Sequence, residues 1–207
     1  MKTVLKYVEV SLSRLFINSR AHDAKAFYTS PAFASHAEPT ITVTSPDCGA
    51  SPATMGPEYI AGGGGRIPAL SWEVPSDLAP ELREWIIVVE DMDAPLPMPI
   101  CHGIYGGITP ETRRVSPDNF EVEDEGRSLL KGGFHWGRGM RDVVYVPPRP
   151  LMNHGVHRYV FQVVALSETL DKKMLEDRAT LKQVAEAIKG KVLGWGMWTG
   201  SCERKWI

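Results

Sequence analysis

The clearest periodicity in the chain lies over residues 157 to 166. His157, Tyr159, Phe161, Val163 and Ala165 fall on one side of an extended segment, and Arg158, Val160, Gln162, Val164 and Leu166 on the other. This predicts a strand whose first residues carry polar chemistry. Trp85-Ile86-Ile87-Val88-Val89-Glu90 is apolar on both faces and predicts a central strand covered from both sides. Further strands are predicted over 41–45, 69–72, 100–108 and 143–146, the last ending at Pro147-Pro148. The tail from Val192 to Trp206, with tryptophans at 195, 198 and 206, reads as one more extended segment.

Helical spacing occurs twice. Val4, Leu5, Val8, Leu12, Leu15 and Phe16 predict an amphipathic helix over 3–17, packed on the domain edge. Leu181, Val184, Ala185 and Ile188 predict a second. Thr180 is its N-cap, Gln183 completes a capping box, and Gly190 is a natural stop. Residues 28–40 and 46–68 read as loops, 109–141 as a polar, glycine-rich stretch, and the acidic cluster at 121–125 as a solvated face. Strands with helices outside them predict a mainly β fold, a two-sheet β-sandwich with peripheral N- and C-terminal helices. The length of 207 residues predicts a single domain, with helix and connecting loop in 1–40 and the sandwich core in 41–207.

Composition removes several function classes. The net charge is −2 with both signs interspersed, so the basic stripe of a nucleic-acid binder is absent. No apolar run approaches the roughly 18 residues of a membrane span. Cys48, Cys101 and Cys202 are odd in number and form no CxxC pair, which predicts a reduced, cytoplasmic setting. Lys6 and Glu9 break the apolar core a signal peptide needs. Arg14, Arg20 and several serines fit a mitochondrial presequence, whereas Glu9 and Asp23 count against one.

The chemistry gathers at two motifs, Asp91-Met92-Asp93-Ala94-Pro95 with Cys101-His102-Gly103, and Gly155-Val156-His157-Arg158-Tyr159. Each adjoins a predicted strand, so each can be held on a rigid scaffold. Asp91 is the acid placed for direct chemistry, orienting a histidine and favouring its charged form. Asp93, before Ala94-Pro95, reads as a turn residue. Arg158 alternates away from His157 and Tyr159 and is expected to pair with a scaffold acid. Cys101 and His102 are adjacent on a strand and face opposite ways, which disfavours Cys–His catalysis. A zinc site would use His102, His157 and Asp91. The His154/His157 spacing does not form a metalloprotease helix, because Gly155 interrupts it. His135 and His154 are read as ordinary residues. Gly62-Gly63-Gly64-Gly65-Arg66 lacks the ending of a P-loop and reads as a turn.

The two motifs, with Pro68-Ala69-Leu70-Ser71-Trp72 before them and Gly200-Ser201-Cys202-Glu203-Arg204-Lys205 after them, resemble the phosphatidylethanolamine-binding protein family. That family includes Raf kinase inhibitor protein and the bacterial YbhB and YbcL proteins. The resemblance covers roughly residues 40–205. It implies a pocket for phosphate-like anions or phosphorylated head groups, built from Asp91, His102, His157, Tyr159 and Pro150, with Asp93, Pro95 and Arg158 in support. Tyr159 and both histidines would donate to phosphate oxygens, with backbone amides of 147–151 adding a nest. Anion affinity would then fall as pH rises through the histidine range, near 6.5 for an unperturbed side chain. The implied function is non-enzymatic binding with no metal or cofactor, and with a kinase or protease as possible contact partner. The alternative is a hydrolase using the same Asp and His residues. The chain departs from the family pattern at Met92, in place of a proline, and at Pro147, Leu151 and Ile100 on the rim.

Overall fold

The computed structural model describes residues 2–206. In chain order the elements are α1 (Lys2–Leu15), β1 (Val43–Thr44), β2 (Ala53–Thr54), β3 (Leu70–Trp72), β4 (Glu84–Asp91), β5 (Ile100–Ile108), β6 (Arg114–Val115), β7 (Val122–Asp124), β8 (Leu129–Leu130), β9 (His135–Trp136), β10 (His157–Leu166), α2 (Lys172–Glu176), α3 (Leu181–Ala187) and β11 (Val192–Cys202). They form an eight-stranded sheet in the order β2-β11-β10-β4-β5-β9-β8-β7 and a three-stranded sheet in the order β1-β3-β6.

The alternation along β10 and β4 explains the layering. Trp85, Ile87, Val89, Phe161 and Val163 pack towards the small sheet, together with Leu70, Trp72 and Trp198. Ile86, Val88, Val164 and Leu166 pack on the other face under Val184 and Ile188 of the α3 region and under Phe27 and Phe33. Every residue of β4 is buried, as expected of a strand covered on both sides. β10 runs antiparallel between β4 and β11, with Tyr159 opposite Asp91 and His157 opposite Cys202. The predicted helix at 181–188 is present with its capping box, Thr180 N donating to Gln183 Oε1 at 2.9 Å and Gln183 N to Thr180 Oγ1 at 3.3 Å.

Four expectations need correction. Residues 143–146 form no strand, because their partners lie elsewhere. Val146 N donates to His102 O at 2.9 Å, and Tyr105 Oη donates to Val144 O at 2.9 Å. Residues 28–40 are not simply a loop, since short 3-10 turns at Phe27–Thr29 and Pro31–Phe33 carry Phe27 and Phe33 into the core. Residues 46–68 likewise hold the short strand β2, and the polar, glycine-rich 109–141 stretch contains β6 to β9.

The fourth concerns α1. The helix forms, but it turns its apolar side outwards: Leu15 is 73% exposed, and Val4, Leu5, Val8 and Leu12 are also exposed. The side facing the body is mixed, with Val10 buried beside polar residues. Ser13 is buried, and Glu9 Oε1 accepts from Arg204 Nη1 at 2.6 Å and from Met152 N at 3.1 Å. Charge-assisted bonds to a half-buried carboxylate outweigh the apolar stripe in setting the helix's rotation.

Candidate functional site

β4 delivers Asp91 at its end, β10 opens with His157, and β5 carries His102 near its start. The β10–β4 register puts Tyr159 directly across from Asp91, with His157 two residues away on the same face. Gly155 makes the entry into β10 possible. Its φ is +94°, and a Cβ there would lie 2.8 Å from Arg20 Nη1.

His157 Nδ1 lies 2.9 Å from Asp91 Oδ2 and 3.2 Å from Oδ1. On its other side, His157 Nε2 lies 2.8 Å from His154 Nδ1, and His154 Nε2 lies 2.9 Å from the carbonyl of Phe16 at the end of α1. The carbonyl can only accept, so His154 Nε2 carries a proton and its Nδ1 accepts from His157 Nε2–H. The third bond also needs a proton, between His157 Nδ1 and Asp91. Whether that proton makes an imidazolium–carboxylate pair or a neutral pair, the trio carries no net charge. Asp91 therefore presents no bare charge to an anion, and both His157 nitrogens are used internally.

His102 is arranged differently. Its Nδ1 donates to Val146 O at 2.6 Å, which leaves Nε2 as an acceptor. Burial pushes its pKa below the ordinary value, so the neutral ring is favoured. Its ring meets Tyr159 edge-on at 5.2 Å. The Tyr159 hydroxyl is buried and has no hydrogen-bond partner among the described residues, and burial holds it protonated.

Asp91, His102, His157 and Tyr159 line one cleft of about 390 Å³, with Pro95, Leu96, Ile100, Met140, Pro147 and Leu151 as mainly apolar wall and Arg141 and Arg149 as cations. Pro150 is brought close but does not line it. It is buried behind the wall, and its carbonyl accepts from Arg204 Nη1 at 2.7 Å. The expected amide nest is thin, because Pro147, Pro148 and Pro150 have no N–H.

Asp93 and Arg158 belong to the scaffold. Arg158 Nε donates to Asp93 Oδ2 at 2.8 Å, while its Nη1 and Nη2 grip Asp23 at 2.9 Å each. Burial alone would raise the Asp93 carboxyl, but hydrogen bonds from the Arg158 side chain and from the Arg158 and Ala21 amides hold it below the usual range. Met92 does not loosen this turn. Its side chain is fully buried, and its N–H donates to Arg158 O at 2.9 Å.

Three residues lie outside the candidate set: the cleft cations Arg141 and Arg149, and His154, which stands behind the cleft on His157. His154 was read as ordinary, although its spacing from His157 around a glycine was visible. Arg141 ends the polar, glycine-rich stretch and Arg149 lies in the rim segment, and no motif marks either.

Residues 37–203 match the sequence profile of the phosphatidylethanolamine-binding protein family. The chain belongs to that family. As a member of the phosphatidylethanolamine-binding protein family it reads broadly as a binding protein. It is 42% identical to a fungal "Phomoidride biosynthesis cluster protein B" over 208 residues, covering 100% of this chain and 99% of the relative. Two solved bacterial structures share the fold. A family homologue from Chlamydia trachomatis has a TM-score of 0.62 at 21% identity, covering 81% of this chain and 99% of that one. YbcL of E. coli has a TM-score of 0.61 at 20% identity, covering 79% and 98%. No helix among the described residues is long and apolar enough to cross a membrane.

Proposed function

We propose that the protein is a non-enzymatic, cytoplasmic binder of a small anion with an apolar attachment, such as a phosphorylated head group. One observation carries this reading: the cleft holds Arg141 and Arg149 while its one aspartate is neutralised by His157. Phosphate oxygens would take the two guanidinium groups and the unpartnered Tyr159 hydroxyl. His102 Nε2 would accept from a ligand hydroxyl or ammonium, which suits phosphoethanolamine. The donors to the anion are then two arginines and a tyrosine rather than histidines, so the histidine-range pH dependence expected from the motifs loses its basis.

The hydrolase alternative finds little support. The cleft lining contains no Ser, Thr, Cys or Lys to serve as nucleophile. Neighbouring Cys101 is held as a thiol by burial.

The test is calorimetric titration of phosphate and phosphoethanolamine into wild type, Arg141→Ala and Arg149→Ala. Binding by the wild type that weakens at least about tenfold in each variant is expected. Wild-type protein that gives no heat, with unshifted amide resonances, would overturn the reading. A second reading rests on the fungal relative, whose name places it in a biosynthesis cluster. The same cleft would then take the carboxylate of a biosynthetic intermediate, and succinate and benzoate in the same titration would outcompete phosphate.

A further inference from the structure

Beside the first cleft lies a second and larger one of about 660 Å³. Leu96, Ile100 and Met140 line both and form the partition. Its floor is Glu90, only 2% exposed. Glu90 Oε2 accepts from Phe27 N at 2.8 Å and from Gln162 Nε2 at 2.9 Å, while no such bond engages Oε1. Burial pushes this carboxyl's pKa up, and no cation touches it among the described contacts. With Oε2 accepting twice, Oε1 is the oxygen left free, and a neutral carboxyl would carry its proton there. In that form the floor would offer one buried hydroxyl donor.

The mouth has the opposite character. Arg138 and Lys182 are exposed, and neither makes a salt bridge among the described residues. Glu90 is the only acid in the lining, so the rim is cationic over an apolar bowl of Phe27, Met98 and Leu181. A cleft of this size falls within the range that holds small ligands. A cationic rim, apolar walls and a single deep donor define a ligand by its polarity along its length.

We infer that the second cleft binds a medium-length organic acid bearing an internal carbonyl. Its carboxylate pairs with Arg138 and Lys182, its hydrocarbon lies along Phe27, Met98 and Leu181, and its carbonyl accepts a hydrogen bond from Glu90. This site is separate from the anion cleft and stands whether or not that cleft takes phosphate.

The experiment titrates decanoate and its 4-, 6- and 8-oxo derivatives into the full chain, followed by calorimetry and amide shifts. The wild type binds decanoate, and at least one oxo acid binds about three- to tenfold tighter, the worth of one added hydrogen bond. Replacing both rim cations, Arg138→Ala with Lys182→Ala, weakens all of them at least about tenfold. Ala185→Trp fills the bowl and abolishes binding. Glu90→Gln keeps an acceptor on the Phe27 side and a donor on the cleft side, so it retains the preference for the oxo acid. Arg149→Ala, in the neighbouring cleft, leaves these affinities unchanged. A wild type that binds none of the acids overturns the proposal. So does binding that survives both the rim double variant and Ala185→Trp, which would place the acids on the exposed apolar side of α1. Binding lost in Arg149→Ala would place them in the first cleft and overturn it equally.

Discussion

Asp91 and Asp93 stand two residues apart, both buried, at the end of the same strand. Asp91 spends its carboxylate on His157 and on the Asp93 amide, at 2.9 Å each, and faces the cleft. Asp93 spends its own on Arg158 and the Ala21 amide and fastens the N-terminal segment to β10. The same side chain thus builds a site at one position and a joint at the next. Neighbouring Asp residues in a motif cannot be given one role between them, because what each carboxylate meets is fixed by chain far away in sequence.

The largest expected effect tests the joint. Asp93→Ala leaves the Arg158 guanidinium with Asp23 alone and two amides unpaired, so stability should fall by about 3 kcal/mol in denaturant unfolding. A loss below about 1 kcal/mol would mean the joint is ornamental. In the wild type the sign follows from the depressed carboxyl. The contribution is present above the unfolded value near 3.9 and is lost as pH falls through the lower folded value.

The next effect tests the site. His157→Ala exposes Asp91 as an uncompensated carboxylate, and anion affinity should fall at least about tenfold with a smaller loss of stability than Asp93→Ala. Equal stability losses in the two variants would erase the distinction between site and joint. Between the two acids, Met92→Pro restores the residue the family pattern carries but removes the N–H given to Arg158 O. A cost of about 1 kcal/mol is expected, read from the denaturation midpoint.

The smallest effect concerns His102. Its folded pKa is lowered, so it adds stability above the unfolded value near 6.5 that is lost as pH falls towards its folded value. The melting temperature should drop modestly between pH 7.5 and 5.5, and His102→Gln should flatten that slope. An unchanged slope would show that other groups govern it.

Much of this was legible in sequence where the information is local. The period-two alternation of β10, the doubly apolar β4 and the Thr180–Gln183 cap each declare themselves within a few residues. Asp91, His102, His157 and Tyr159 could be named because two motifs carry them, and the strand register brings them together. What stayed hidden depends on distant partners. The rotation of α1 is set by Glu9 meeting Arg204, at the other end of the chain. The Phe16 carbonyl orders His154 from 138 residues away, and Pro150 turns inward because Arg204 takes its carbonyl. No periodicity reports such contacts.

The bond from His154 to the Phe16 carbonyl has a mechanical consequence. A chain cut after Phe16 would lose the acceptor that orders its histidine pair, and the carboxylate that tethers Arg204 and Arg149. The first sixteen residues thus tie the histidine pair and the far C-terminal segment together, so one cut would loosen both ends of the molecule at once.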